Sequence, residues 1–236
     1  MYTINQRVCA SHTNAEGALK LVSALDMLQD CSQLWLESEP DLERYFKEHN
    51  IAQMLVSRQT DIRRMPVYGE KLTVETRVYD CRNFLGYRNT VIYDEEGRPR
   101  VTSWSIGAFV SLETGRPEKL PDHVIAGVRF DPKFDMEYLG KKIALSGGPG
   151  EKLPPLKVNR GDIDFNRHMN NARYVQIAVE FLPGDFETTR FRVEYKKPAK
   201  YGDTLYPETA AGDGVFFLLL NDSEGRPYTV MEFSRP

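Results

Sequence analysis

Apolar residues recur at helical spacing in two parts of the chain. Residues 14–30 show one apolar face of an amphipathic helix. Residues 171–182 are apolar around most of the circumference, and only Arg173, Gln176 and Glu180 form a narrow polar stripe. A helix of this kind must be enclosed by other structure. The apolar positions of the first helix are Ala18, Leu21, Val22, Leu25 and Leu28.

Apolar and polar residues alternate after each predicted helix, which is typical of half-buried strands. Each half of the chain therefore reads as a strand, a helix and then several antiparallel strands. We expect each sheet to curl around its helix. The strands are predicted at residues 72–78, 86–93 and 101–112 in the first half, and at 191–195, 204–211, 215–221 and 228–233 in the second.

An internal repeat supports two copies of one unit. The segment PVYGEKL at 66–72 resembles PAKYGDTL at 198–205, and EGRP occurs at both 96–99 and 224–227. A fainter match pairs His12 and Asn14 with His168 and Asn170, at an offset of 156 residues. These matches occur in the same order, which predicts an α+β fold built by duplication. We expect domains at 1–120 and 156–236, joined by a segment at 121–155 that packs across the outside of the sheets.

Composition narrows the class of protein. The chain has 236 residues, 41% of them hydrophobic and 28% charged, as in ordinary globular proteins. No apolar run reaches the roughly 18 residues of a membrane span, and the first residues lack the apolar core of a signal peptide. Cys9, Cys31 and Cys81 are far apart, which suits a reducing compartment. A net charge of −3 gives no general attraction to nucleic acid. We therefore expect a cytoplasmic protein.

The segment DIDFNRHMNNARY at 162–174 concentrates two carboxylates, one histidine and three carboxamides just before the second helix. Backbone N–H groups at a helix N-terminus favour negative charge and can hold a polarised carbonyl oxygen. Helix capping is the alternative, because Asp and Asn are favoured there. Capping needs only one or two such residues and does not need His168.

The spacing D-x-N-x-H-x-N-N-x-x-Y resembles the signature of the acyl-acyl-carrier-protein thioesterases. Residues 63–72, and the stretch from 103–105 to 121–122, also resemble that family. The resemblance implies a tandem (double) hotdog, in which each antiparallel sheet wraps around a central helix. It also implies hydrolysis of fatty acyl-acyl carrier protein. No transit peptide is visible, so we expect a member of the bacterial type. The signature positions are Asp164, Asn166, His168, Asn170, Asn171 and Tyr174.

The resemblance also supplies candidate roles for residues. It places a catalytic glutamate at Glu194, so either His168 or Glu194 could activate water, with Asp164 and Asn166 as orienting groups. Asn170 and Asn171 mark the helix start that would hold the oxyanion. Plant relatives carry a cysteine where this chain has Tyr195, which favours direct attack by water. The acyl tunnel is implied in the first copy, with Leu25, Met27 and Leu28 as candidate lining residues, although these are also ordinary core positions.

Basic residues follow Glu194, and acyl carrier protein is acidic. Lys196, Lys197 and Lys200 are therefore candidate docking residues, with Arg63 and Arg64 next; solvated side chains are the simpler interpretation. No histidines stand at metal-ligand spacing, and no phosphate loop or Gly-x-Ser-x-Gly elbow occurs, so neither a metal nor a cofactor is expected.

Two other functions stay open: another hotdog enzyme such as an acyl-CoA thioesterase, and an acyl-binding protein without catalysis. A monomer with an internal pseudo-dimer, or a homodimer, would fit two hotdog copies.

Overall fold

The computed structural model describes residues 1–146, 150–184, 186–212 and 214–235. The chain divides into two compact units. The first comprises Met1–Val56 and Ile62–Tyr138, and the second comprises Ser57–Asp61 and Leu139–Pro236. The domain boundaries predicted at 120 and 156 remain predictions.

The first unit is an antiparallel sheet packed against a helix. Its strand order is β1-β3-β4-β5-β2. Helix α1 contacts β1, β3 and β4, and Leu25, Leu28 and Cys31 of α1 are almost fully buried. The elements are β1 (Tyr2–Arg7), α1 (Leu21–Leu34), α2 (Pro40–Glu48), β2 (Ile51–Ile62), β3 (Lys71–Arg82), β4 (Leu85–Tyr93), β5 (Pro99–Ser111) and α3 (Asp122–Gly127).

The second unit repeats the plan around a shorter helix. Its main sheet has the order β8-β11-β10-β9-β6, β7 also pairs with β9, and residues Ser57–Asp61 of β2 pair with β8. Phe191 of β8 and Phe233 of β11 lie in its core with ring centroids 5.0 Å apart. The elements are β6 (Glu151–Lys152), β7 (Leu156–Lys157), α4 (Asn171–Val179), β8 (Arg190–Tyr195), β9 (Thr204–Gly212), β10 (Val215–Asn221) and β11 (Pro227–Ser234).

Both helices differ in length from their predictions. Residues 14–20 form a turn, so α1 begins at Leu21 and not at 14. Helix α4 ends at Val179, earlier than the predicted 182. Leu182 precedes Pro183, and the residue before a proline disfavours helical backbone, so the helix could not continue past this point. The helix α2 and the first part of β2 were not predicted. Only Leu42 and Phe46 of α2 are buried, and two positions give little periodic signal.

The internal repeat is confirmed by matching hydrogen bonds. Asp94 Oδ1 accepts from the backbone N–H of Arg98 at 2.8 Å, and Asp222 Oδ1 accepts from that of Arg226 at 2.9 Å. Gly69 and Gly202 take positive φ values of 89° and 87° at equivalent turns. Residues other than glycine rarely adopt such φ values, which explains why glycine recurs at both turns.

The third sequence match is wrong in register. The turn that precedes α1 corresponds to the turn that precedes α4 at an offset of 150 residues, not 156. Asn14 N–H donates to Ala18 O at 2.9 Å, and Asp164 N–H donates to His168 O at 3.0 Å. His12 therefore corresponds to Asp162, and each side chain accepts a backbone N–H three residues earlier, from Cys9 and Asn159.

Parts of the connecting segment bond to sheet residues of each unit. In the first unit, Asn89 Oδ1 accepts from Phe134 N–H at 3.1 Å. In the second unit, Leu139 N–H donates to Gln59 Oε1 at 3.0 Å and Ile143 N–H donates to Glu194 Oε1 at 2.7 Å. Residues 147–149 of the predicted glycine-rich turn lie outside the described residues.

Candidate active site

The motif forms a tight turn that closes just before α4. Ile163 and Met169 are bridged as in an antiparallel pair. Asp164 and His168 face each other across the base of the turn through the Asp164 N–H bond to His168 O. Asp164 Oδ1 also accepts the N–H of Asn166 at 2.9 Å. The turn therefore brings the Asp164 and His168 positions together, with both residues half-buried and Asn166 exposed.

The turn holds an unusual backbone conformation. Arg167 has φ of 62°, whereas the equivalent residue of the first unit is Gly17, with φ of 78°. A non-glycine residue in this region is uncommon, and such residues often occur at functional sites. The second unit thus keeps a strained turn that the first unit makes with glycine.

The start of α4 is fixed by capping. Asn170 is the N-cap residue, and its Oδ1 accepts from Ala172 N–H at 2.9 Å. Capping thus accounts for the position of Asn170 Oδ1. The Asn170 Nδ2 group points away from the Ala172 N–H. Asn171 is the first residue of the helix, and its carbonyl accepts from the Tyr195 hydroxyl at 3.0 Å.

Two tyrosines anchor this helix start to the unit. Tyr174 is buried, and its hydroxyl oxygen accepts the N–H of Ala199 at 2.8 Å. Ala199 O in turn accepts the N–H of Met169 at the end of the motif turn, at 2.8 Å. The rings of Tyr174 and Tyr195 meet edge to face at 5.8 Å. Burial raises the pKa of both phenols, so neither is ionised near neutral pH.

Glu194 lies on the face of β8 opposite to the one that packs against α4. Side chains alternate along a strand, so Glu194 points away from the face of Val193 and Tyr195, and Tyr195 contacts α4. The Glu194 carboxylate accepts the N–H of Ile143 at 2.7 Å and pairs with the Lys196 ammonium. Its side chain is only 12% exposed. The bond to Ile143 thus attaches the Glu194 side chain to the connecting segment.

The three candidate docking lysines differ in their surroundings. Lys196 pairs with Glu194, and Lys197 pairs with Asp222. Lys200 is exposed. Sequence reasoning missed Phe165, whose side chain is 81% exposed at the tip of the motif turn. The sequence signal for Phe165 is the presence of an aromatic residue between Asp164 and Asn166 in an otherwise polar turn.

The ion pair of Lys197 predicts a pH effect on stability. The bond from Lys197, opposed by burial and aided by the Arg226 N–H, holds the pKa of Asp222 well below its usual range. A lowered pKa in the folded state stabilises the fold above the unfolded pKa, about 3.9 for Asp, and this contribution disappears as pH falls. Asp222→Asn should therefore lower the melting temperature at neutral pH, and by progressively less below about pH 4. Thermal unfolding across this range measures the difference; a constant difference at all pH values would contradict it.

The first unit contains a narrow apolar pocket with a volume of about 20 Å³. Leu25, Met27 and Leu28 are buried in α1 at 1%, 4% and 0% exposure, and other residues line this pocket. The role predicted for those three therefore stays a prediction. The pocket is lined by Trp35, Leu42, Phe46, Gln53, Val78, Cys81, Gly86, Phe109, Leu120, Ile125, Val128 and Phe130.

Two of the three cysteines carry thiols that burial keeps protonated. Burial raises the pKa of Cys31 and of Cys81 to about 11. Cys9 is exposed and lies in the first unit, beside the turn equivalent to the motif. Across the described ranges, His, Cys, Asp and Glu side chains form no group of three that could hold a metal ion. In the same residues, every helix is too short or too polar to cross a membrane.

Two antiparallel sheets, each packed on a helix, with an Asp/Asn/His turn ahead of the second helix, make up a tandem hotdog of the thioesterase class. Residues 1–128 match the family model of the acyl-ACP thioesterase N-terminal domain, and residues 150–224 match that of the C-terminal domain. The chain therefore belongs to the acyl-ACP thioesterase family.

Individual relatives agree with this family. A chloroplastic acyl-[acyl-carrier-protein] hydrolase of Cuphea viscosissima is 25% identical over 166 residues, which are 66% of this chain and 40% of that protein. The chain thus spans about 40% of the length of this plant relative.

Solved structures show the same fold. An acyl-ACP thioesterase from Bacteroides thetaiotaomicron superposes with a TM-score of 0.87 at 19% identity, covering 98% of this chain and 96% of that one. The 12:0-ACP thioesterase from Umbellularia californica gives 0.82 at 17% identity, covering 100% and 97%. The predicted α+β tandem hotdog is confirmed.

Proposed function

We propose that this chain hydrolyses the thioester of fatty acyl-acyl carrier protein to a free fatty acid and the carrier-protein thiol. The observation that carries the proposal is the Asp164–His168 turn directly before α4, in a chain of the acyl-ACP thioesterase family. An imidazole is the side chain that most often accepts a proton from water in catalysis, and the turn places Asp164 and His168 next to each other.

In the proposed reaction, His168 takes a proton from water while the water oxygen attacks the thioester carbonyl. A new C–O bond forms, and the C–S bond then breaks. The proton passes from His168 to the leaving thiolate, so the products are a carboxylic acid and a thiol. Asp164 orients the imidazole and stabilises its charged form, and Asn166 orients the substrate. Tyr195 stands where the resemblance places the cysteine of plant relatives, which favours direct attack by water over a covalent acyl-enzyme.

The developing oxyanion needs donors that are already positioned. We propose that the start of α4 provides them, through its positive dipole end and the Nδ2 group of Asn170, with Asn171 in the first helical turn. The bond from Ala172 N–H to Asn170 Oδ1 supports this assignment, because it fixes the orientation of the Asn170 amide. The anchoring of Asn171 O by Tyr195 keeps the helix start in place.

Glu194 remains the second candidate base. Its bonds to Ile143 and Lys196 favour His168, because they occupy both carboxylate oxygens of Glu194 and hold them against the connecting segment. We propose that Glu194 mainly holds the connecting segment on β8.

We further propose that the apolar pocket of the first unit holds the acyl chain. Its walls are mainly aliphatic and aromatic, as an acyl chain requires. The three unpaired cysteines suit a cytoplasmic protein, and one chain with two units could act as a monomer, although a homodimer would also fit.

Thiol release tests this function against its alternatives. Purified protein is mixed with acyl-acyl carrier protein or with acyl-CoA, and free thiol is followed. Faster release from the carrier-protein substrate is expected. Preference for coenzyme A would identify an acyl-CoA thioesterase, and binding of both without release would identify a non-catalytic acyl-binding protein.

Carrier-protein docking gives a separate prediction. We propose that an acidic carrier protein docks at the basic residues after β8, and Lys200 is the sharpest test because Lys196 and Lys197 already hold ion pairs. Lys200→Glu should raise KM for acyl-acyl carrier protein several-fold, and more so at low salt, because screening shortens electrostatic reach to about 8–10 Å at physiological strength. It should leave hydrolysis of acyl-N-acetylcysteamine unchanged. Equal effects on both substrates would count against docking at Lys200.

A further inference from the structure

Two glycines sit side by side in the sheet of the first unit. Gly86 of β4 and Gly107 of β5 are direct partners in the antiparallel register, and both are buried. Strand interiors disfavour glycine, and glycine there often marks a close approach by another group. Here the approaching group is the side chain of Gln53 in β2.

Gln53 occupies the space that side chains at these glycines would need. A Cβ atom at Gly86 would lie 2.8 Å from Gln53 Nε2 and 3.3 Å from the Phe109 ring. A Cβ atom at Gly107 would lie 2.8 Å from Gln53 Cγ and 2.9 Å from its Nε2. Real Cβ atoms essentially never come this close to other atoms, so the Gln53 side chain lies directly over the glycine pair.

The same side chain forms part of the apolar pocket. Gln53 and Gly86 both line it, together with Phe109 and Phe46. Gln53 shares its strand face with Ile51, which is buried in the hydrophobic cluster around the pocket. Gln53 is nevertheless an exposed residue, so it lies where the pocket wall reaches solvent. A flexible amide thus borders a pocket whose other walls are mainly apolar.

We propose that Gln53 determines the length of the acyl chain that the pocket accepts, by filling the space over Gly86 and Gly107. The inference rests on the proposed acyl-chain role of this pocket. A shorter side chain at position 53 leaves the backbone of Gly86 and Gly107 uncovered, and this space extends the pocket toward solvent. An added methyl group on either glycine pushes Gln53 aside and changes the same space.

The expected effect is large enough to measure. One methylene group in a hydrophobic pocket changes specificity by about 10–200-fold. Gln53→Ala should therefore raise the ratio of kcat/KM for long over short acyl chains by about tenfold or more. Gly107→Ala should shift the ratio in wild type but much less in the Gln53→Ala background, because the contact it disturbs is then gone.

The experiment compares the two single variants and the double variant on acyl-acyl carrier proteins from octanoyl to stearoyl. Gln33→Ala is the matched control for Gln53, since Gln33 is an exposed glutamine on α1 outside the pocket lining. Gly127→Ala is the control for Gly107, because a Cβ there meets nothing within 4 Å. Thermal stabilisation by free fatty acids of the same lengths is measured in parallel.

The outcomes separate this inference from the proposed function. A shifted length profile in rates or in fatty-acid stabilisation, absent from both controls, supports it. If no variant releases thiol but the fatty-acid profile still shifts, the hydrolase proposal fails and the role of Gln53 stands. An unchanged length profile in a folded Gln53→Ala variant, in whichever measurement responds to acyl length, overturns the role of Gln53.

Discussion

His168→Ala is expected to lower turnover of acyl-acyl carrier protein by about 10²-fold or more, the usual loss for a general base. The fold should survive, because His168 is only half-buried and the bond that closes the turn uses its backbone carbonyl. Asp164→Asn keeps an Oδ1 acceptor for Asn166 N–H but removes the charge that stabilises imidazolium. It should therefore lower turnover as well, while the melting temperature stays close to that of wild type.

The pH–rate profile provides the sharper readout. If His168 is the base, the acid limb of the kcat/KM profile should depend on its side chain, and His168→Ala should remove that limb. His123→Ala is the matched control, because His123 is an exposed histidine on α3. Wild-type rates and an unchanged acid limb in His168→Ala would exclude His168 as the base.

Two substitutions of Glu194 are expected to distinguish an anchoring role of this residue from a catalytic one. Glu194→Ala removes the acceptor for Ile143 N–H and the partner of Lys196. An unsatisfied buried N–H costs about 1–3 kcal/mol, so the free energy of unfolding should fall by that order. Glu194→Gln keeps an oxygen for the N–H and should keep turnover within a few-fold of wild type.

The two substitutions together decide between the candidate bases. A loss of about 10²-fold in Glu194→Gln, with unchanged stability, would make Glu194 the base instead of His168. Denaturant unfolding and thiol release on the same preparations give both quantities. Glu180→Gln serves as a control, since Glu180 is an exposed glutamate next to α4.

Local sequence was sufficient to predict the polar turn before α4 and the turn repeated in the two EGRP segments. The Asp164 bond to Asn166 and the Asn170 cap on Ala172 each join residues two positions apart. Asp222 and Arg226 are only four apart. Such contacts depend on residue type and spacing within one turn, so they are visible in the sequence. The buried face of α1 was predictable for the same reason, because helical periodicity shows it directly.

Contacts between distant residues were decided only by the tertiary structure. Glu194 bonds to Ile143, 51 residues away, so its surroundings depend on where the connecting segment packs. Gln53 reaches Gly86 and Gly107 only because β4 and β5 pair in one register. A strand shifted by one residue would exchange its faces, and the sequence of a single strand does not record its partner. The sequence by itself thus determined the family signature, the repeated EGRP turn and the two candidate bases, His168 and Glu194. The tertiary structure decided the surroundings of Glu194 and the residues that line the apolar pocket, because both depend on strand pairing across the chain.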